Sequence, residues 1–292
     1  MLWLCLVHTS VNAAQQSILM LTGSHANKAK ITLLQTEAAD KGMTLQHQTA
    51  KSLQHNDNLV GHFEQYQLVI FAGVSARETR KVFAKYAGVV TAANSRFMSL
   101  KAVDDIALLK GLSGDEVANI RQYFANGGRE NLTRMANYIS VKLFEQSGLT
   151  VEPPIVYPAA GIYHPQHANG IFNDLPTYLQ WRQHAGEPVV GIMFDRASIE
   201  SDTTALVDET IKRLQQKGLF VVPFFSQTSR KGVDYGHVVQ IDGQTFIDLI
   251  VNMRNIHFAS QRKVEFERWG VPVMQALTYY DGDQQHWEQS SQ

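Results

Sequence analysis

A single cysteine, Cys5, stands in 292 residues. That excludes an intramolecular disulfide framework, and without a Cys-x-x-Cys pair it excludes a thiolate metal site as well. An excess of one charge is missing too: 26 Lys and Arg against 27 Asp and Glu leave a net charge of −1. No long-range field draws this chain to nucleic acid or to an anionic membrane surface. The apolar N-terminal stretch Met1 to Val11 is too short to span a bilayer. Neither Gly-x-Gly-x-x-Gly nor Gly-x-x-x-x-Gly-Lys-Ser/Thr occurs, which argues against a dinucleotide site or a P-loop. A His-Glu-x-x-His zinc helix is absent as well.

What is present is ordinary globular material, 44% hydrophobic and 18% charged, long enough for two domains with their own cores. Residues 1–14 read as a signal peptide, with a small-residue cleavage site near Val11-Asn12-Ala13 but no basic leader. Export to the periplasm follows if that signal is real. A buried first strand in a cytoplasmic protein, or a start codon placed a few residues off, is the alternative.

From Ser17 the chain alternates short apolar runs with amphipathic stretches. Ser17 to Thr22, Met43 to His47, Gln67 to Ala72 and Gly88 to Ala92 read as strands, with helices at Asn27 to Lys41 and Ala76 to Tyr86. A helical pair follows, Gly114 to Phe124 and Arg129 to Gln146, and Gly148 with Pro153-Pro154 marks a domain boundary. The alternation then restarts with a helix at Leu175 to Arg182, a strand at Pro188 to Phe194, a helix at Asp202 to Lys217 and a strand at Leu219 to Phe225. Strand signals at Thr245 to Asn252 and Val271 to Ala276 end the series. The expected fold is α/β, with two doubly wound parallel-sheet units of flavodoxin or Rossmann type joined by the helical pair. The expected domains are 15–148, carrying the pair at its end, and 149–292. His47, His55 and His62, spaced eight and seven residues apart in a polar stretch, fit no compact ligand motif and read as solvated.

The densest chemistry lies between Gly161 and Arg196, where a loop Gly161-Ile162-Tyr163-His164-Pro165 precedes an apolar strand capped by Asp195-Arg196. Ligands of open α/β sheets collect outside the carboxyl ends of the strands, so polar groups there carry weight.

These residues also resemble a known family, the CobN and magnesium-chelatase H-subunit family, the large subunits of the cobalt and magnesium chelatases of tetrapyrrole biosynthesis. The resemblance rests on Gly128-Arg129-Glu130-Asn131, Gly161-Ile162-Tyr163-His164-Pro165 and Val190-Gly191-Ile192-Met193-Phe194-Asp195-Arg196. It continues through Asp208, Gly218-Leu219, Pro223, Asp248 to Asn252, Gly270 to Gln275 and Trp287 to Ser290. It covers about residues 120 to 292, and Gln166 departs from it where the family often has an acidic residue. Members are very large chains, so the resemblance implies an N-terminal fragment, with the second domain truncated and the catalytic groups beyond Gln292. It implies a large-subunit portion that binds a tetrapyrrole macrocycle and takes a divalent metal, cobalt or magnesium, as substrate. ATP then acts only through AAA-type ATPase partner subunits.

On that footing His164 is a candidate macrocycle or metal ligand, since neutral imidazole accepts protons and coordinates borderline metals. A hydrogen bond that orders the loop is the alternative for His164, and more so for His167. Tyr163 could stack on the macrocycle or merely pack the loop. Arg196 could hold rim carboxylates or pair with Asp195 or Glu200. Asn252, after the late strand, is a further crevice candidate. Two other readings stay open: an exported relative that handles haem or removes its metal, and a non-enzymatic two-lobed periplasmic binding module.

Overall fold

The computed structural model describes residues 16–103, 105–168, 170–227, 234–254, 259–277 and 284–290. The proposed leader, with Cys5, lies outside the described residues. The chain divides into two compact units, Met1–Val156 and Tyr157–Gln292.

The first unit is built on four parallel strands in the order β2-β1-β3-β4, namely β1 (Ser17–Thr22), β2 (Thr44–Thr49), β3 (Leu68–Ala72) and β4 (Arg96–Ser99). Helix α1 (Lys28–Ala39) starts where the Asn27 side chain accepts the Lys30 N–H. The short helix α2 (Leu59–Phe63) precedes β3, and α3 (Ala76–Phe83) follows it, capped by Ser75. The apolar run at Gly88 to Ala92, expected as a strand, is instead helix α4 (Ala87–Ala92). Its burial explains the correction: of this run only Val90 is fully buried, which suits a helix lying on a surface. Phe97, Met98 and Ser99 are covered on both faces, as a strand of a parallel sheet with helices on both sides requires, so β4 falls there, at the end of the sheet beside β3. The helical pair α5 (Gly114–Asn126) and α6 (Gly128–Tyr138), with a π-helical turn at Ile139–Leu143, packs onto this unit's own core. Ser113 and Glu116 form a capping box at the start of α5. Between the two helices Gly127 and Gly128 both have positive φ, 60° and 74°, a backbone that disfavours any side chain.

The second unit carries a six-stranded sheet in the order β12-β11-β7-β8-β5-β6. Its strands β5 (Ala160–Tyr163) and β6 (Ile171–Phe172) lead into helix α7 (Leu175–Trp181), capped by Asp174. Strand β7 (Val189–Asp195), the short helix α8 (Ala197–Glu200), helix α9 (Ala205–Gln216) and strand β8 (Phe220–Ser226) follow. The one-turn helix α10 (Gly236–Val239) enters a small hairpin of β9 (Gln240–Ile241) and β10 (Gln244–Thr245). Strand β11 (Leu249–Asn252), helix α11 (Ala259–Trp269), strand β12 (Val273–Gln275) and helix α12 (Gln284–Gln289) complete the unit. Strands β12, β11, β7 and β8 are parallel, while β5 runs antiparallel to β8 and β6 antiparallel to β5. The segment Gly161 to Tyr163 is therefore strand at the antiparallel side of the sheet, not loop. Among the described residues no helix is long and apolar enough to cross a membrane.

Gly161 is confined by packing. A methyl group there would lie 2.8 Å from Phe225 Cζ and 3.0 Å from the Phe172 carbonyl oxygen. The backbone contact cannot swing away as a side chain could. Gly161→Ala is therefore expected to lower stability by about 1–3 kcal/mol, the usual cost of overpacking, read by chemical denaturation.

Candidate functional site

In the second sheet β7 connects through α9 to β8 on one side, and the chain then returns past β7 to place β11 on the other. The topological switch point is thus between β7 and β11, and the crevice rule points to their carboxyl ends. There the structure gathers Asp195 from the end of β7, Ser226 from the end of β8, Asn252 from the end of β11, and Arg254 two residues further on.

Arg254 is the hub of this cluster, and its side chain is only 4% exposed. Its Nη1 donates to Ser226 Oγ at 2.7 Å and lies 3.9 Å from Met193 Sδ. Its Nε faces Asp195 Oδ1 at 3.4 Å, an ion pair without a well-formed hydrogen bond. Its backbone N–H donates to Asn252 Oδ1 at 3.2 Å, and Asn252 Nδ2 donates to Gln275 Oε1 at 2.6 Å. Gln275 in turn donates to the carbonyls of Asn252 and Arg254, at 3.0 and 3.2 Å. One guanidinium thereby ties together three strand ends. Beside it Arg196 Nε pairs with Glu200 Oε1 at 3.1 Å, and the Arg196 N–H donates to the Ser226 carbonyl. Burying charge in this way rarely adds stability over an apolar core, so its presence at a switch point calls for another reason.

Of the four residues singled out in the sequence, Arg196 and Asn252 come together at this edge, while Tyr163 and His164 do not join them. The direction of β5 explains the separation. Ala160 lies opposite Ser226, so the antiparallel strand carries Tyr163 and His164 back along the sheet, about 10 and about 13 Å from the carboxyl edge at about 3.3 Å per residue.

His164 is 1% exposed. Its ring meets Trp181 edge-on and leans on Tyr178. Its Nδ1 lies 3.3 Å from the Gln166 backbone N–H and its Nε2 lies 3.0 Å from the Gln215 side-chain amide nitrogen; both neighbours are donors, and the one acceptor nitrogen of a neutral ring serves one of them. Burial, helped by the nearby Arg182 and His167, lowers its pKa to about 4. To bind a metal it would have to give up one of these two contacts. Among the described residues no group of three or more His, Cys, Asp or Glu is placed to hold a metal ion. His164 also borders a cavity of about 390 Å³ with Gln166, Asp208, Lys212 and Gln215. Thr204 Oγ1 donates to Asp208 Oδ2 and so accepts from the Tyr163 hydroxyl over 3.1 Å, which fastens the start of α9 to β5. Burial pushes the Tyr163 hydroxyl up to about 12, and its ring packs edge-on against Phe194.

Other parts of the sequence pattern are structural as well. Asn131 is fully buried and pairs with both the N–H and the carbonyl of Ile155, at 2.8 and 3.0 Å. At the switch point of the first unit, between β1 and β3, the chain's own carboxylate fills the space: Glu78 Oε2 accepts the Val74 N–H at 2.7 Å, and a Cβ on Gly23 would fall 2.1 Å from Glu78 Oε1. A cavity of about 630 Å³ in that unit opens instead beside Glu64, Tyr66, Arg96 and Glu145, toward the amino ends of its strands.

The family model for CobN/Magnesium Chelatase matches residues 121–292, more than half of the chain. The chain belongs to the CobN/magnesium chelatase family. The aerobic cobaltochelatase subunit CobN of Pseudomonas aeruginosa is 25% identical over 181 residues, covering 61% of this chain and 14% of that protein. The H subunit of the magnesium chelatase of Cereibacter sphaeroides is 31% identical over 111 residues, 36% of this chain and 9% of that protein. Among solved structures, the catalytic subunit of cobaltochelatase from Mycobacterium tuberculosis superposes with a TM-score of 0.56 at 14% identity, over 94% of this chain and 22% of the other. At that identity the likeness speaks for the fold. The family match spans the second unit, and with it the whole Asp195–Arg254 network. The chain covers only a small part of each relative's length.

Arg254 and Ser226 escaped sequence reasoning. The available signal was positional: Ser226 closes an apolar strand, and Arg254 is a basic residue two places beyond another.

Proposed function

We propose that this chain holds a tetrapyrrole macrocycle and a divalent metal substrate as part of a chelatase large subunit, with separate ATPase subunits driving insertion. The contact surface is the carboxyl edge of the second unit. The observation that carries this reading is a buried ionic network seated at a topological switch point, inside the region that matches the chelatase family.

Metal insertion demands that a ring lose two pyrrole N–H protons, that the metal shed water, and that the ring deform. A rigid scaffold that fixes polar groups against one ring suits the binding part of that task, because a fixed group loses little freedom when the ligand arrives. Arg254, Asn252 and Gln275 lock the strand ends, while Asp195 and Arg196 stand at the rim. The expected result is a saturable shift of the porphyrin Soret band when the 292-residue chain is titrated into a metal-free tetrapyrrole. No spectral change with any tetrapyrrole, for this chain and for a longer one, would overturn the reading.

A further inference from the structure

Among the described residues of this cluster the charged groups are paired. Asp195 pairs with Arg254, and Glu200 pairs with Arg196. A ligand that relied on its rim carboxylates would have to take an arginine from an existing acidic partner, and for the buried Arg254 that exchange is costly. The reachable groups differ as well. Arg254 is 4% exposed, Ser226 and Asn252 are buried, and the Asp195 carboxylate is 24% exposed. Glu200 has the same exposure, but it sits on the one-turn helix α8 rather than at a strand end.

We propose that Asp195 is the group that meets the macrocycle, accepting hydrogen bonds from the inner N–H groups of a tetrapyrrole that has not yet received its metal, with Arg254 as the positioning residue that fixes its carboxylate. This rests on the tetrapyrrole reading above and names the form of substrate the site selects. The chemistry follows from the atoms: a metal-free ring carries two inner N–H donors, and a metallated ring carries none. A fixed, ionised acceptor can tell them apart, because charge-assisted hydrogen bonds are the strong ones and a lost one is not replaced. Gly191, four residues before Asp195 in the same strand, has no room for a methyl group, which would lie 2.8 Å from Ile247 Cδ1. The strand that carries the carboxylate thus packs closely against the side chains of Ile247 and Phe224.

The test compares the affinity of the 292-residue chain for a metal-free porphyrin and for its nickel(II) complex, a square-planar metal that takes up an axial carboxylate poorly, both read from the Soret band. The wild type is expected to favour the metal-free ring by about tenfold to a hundredfold, the worth of one hydrogen bond to a charged group. In Asp195→Asn the preference should fall to a few-fold or less, with affinity for the nickel complex little changed. Asp195→Asn could weaken the fold by disturbing Arg254, so the pair Asp195→Ala with Arg254→Met, which leaves no buried charge behind, repeats the measurement. Equal binding of both rings by the wild type would overturn this proposal and leave the tetrapyrrole reading standing. A preference that persists in both variants would do the same. Binding of neither ring by this chain and by a longer one would overturn both.

Discussion

Arg254→Ala lowers the unfolding free energy of the second unit by about 3 kcal/mol, a cost in the range seen when one partner of a buried ion pair is removed. From just beyond β11 the side chain reaches β7 through Asp195 and Met193 and β8 through Ser226. Its loss strands the Ser226 hydroxyl and leaves Asp195 without its cation. Urea denaturation of the intact chain, with the second unit's transition followed by tryptophan fluorescence, measures the effect. Trp181, Trp269 and Trp287 are the described tryptophans, and all three lie in that unit. Arg254→Met combined with Asp195→Ala should recover most of the loss, since an apolar replacement of the whole pair is often neutral. A double variant as unstable as the sum of the single ones would show that the two groups act independently.

The second large effect is a loss of stability on acidification, centred on His164. The group is held neutral in the fold, with its pKa lowered to about 4 by burial first and by Arg182 and His167 after that. The unfolded chain takes up this proton below about pH 6.5, while the folded chain resists until about pH 4. The unfolded state therefore binds more protons in that window. Stability is full above about pH 6.5, falls as pH drops toward 4, and levels off below it. At about 1.4 kcal/mol per pH unit, the window is worth about 3 kcal/mol. His164→Gln should flatten the profile of the second unit between those limits. His47 and His62 are also lowered by burial, but they belong to the first unit, so the two transitions must be followed separately. An unchanged slope in His164→Gln would place the acid sensitivity elsewhere.

Much of this fold was legible in local pattern. The apolar runs of β1, β3, β7 and β8 are buried nearly throughout, and Gly42 and Gly218 follow helix ends with positive φ, as their placement suggested. What local pattern could not carry was pairing. Gly88 to Ala92 has the residues of a strand, yet the fourth place in the sheet went to Arg96–Ser99, whose neighbours cover both faces. The direction of β5 is likewise set by its partner β8, and it decides that the Tyr163-His164 end lies away from the edge where Arg196 and Asn252 meet. The Tyr163-His164-Pro165 motif marks the family without sitting at the switch point. It fastens α7 and α9 to the sheet edge through ring contacts, Gln215 and Thr204. Arg254 was invisible for the opposite reason: nothing about an arginine after a strand predicts its burial until β7 and β8 are placed beside it.

The central claim is that the carboxyl edge of the second unit is where the ligand lies. Hydrogen–deuterium exchange of the 292-residue chain, with and without a metal-free porphyrin, tests it most directly. Protection is expected in peptides that cover the ends of β7, β8 and β11, around Asp195, Ser226 and Asn252, with little change around Tyr163 to Gln166. Protection confined to Tyr163 to Gln166 and α9, with the three strand ends unchanged, would contradict it.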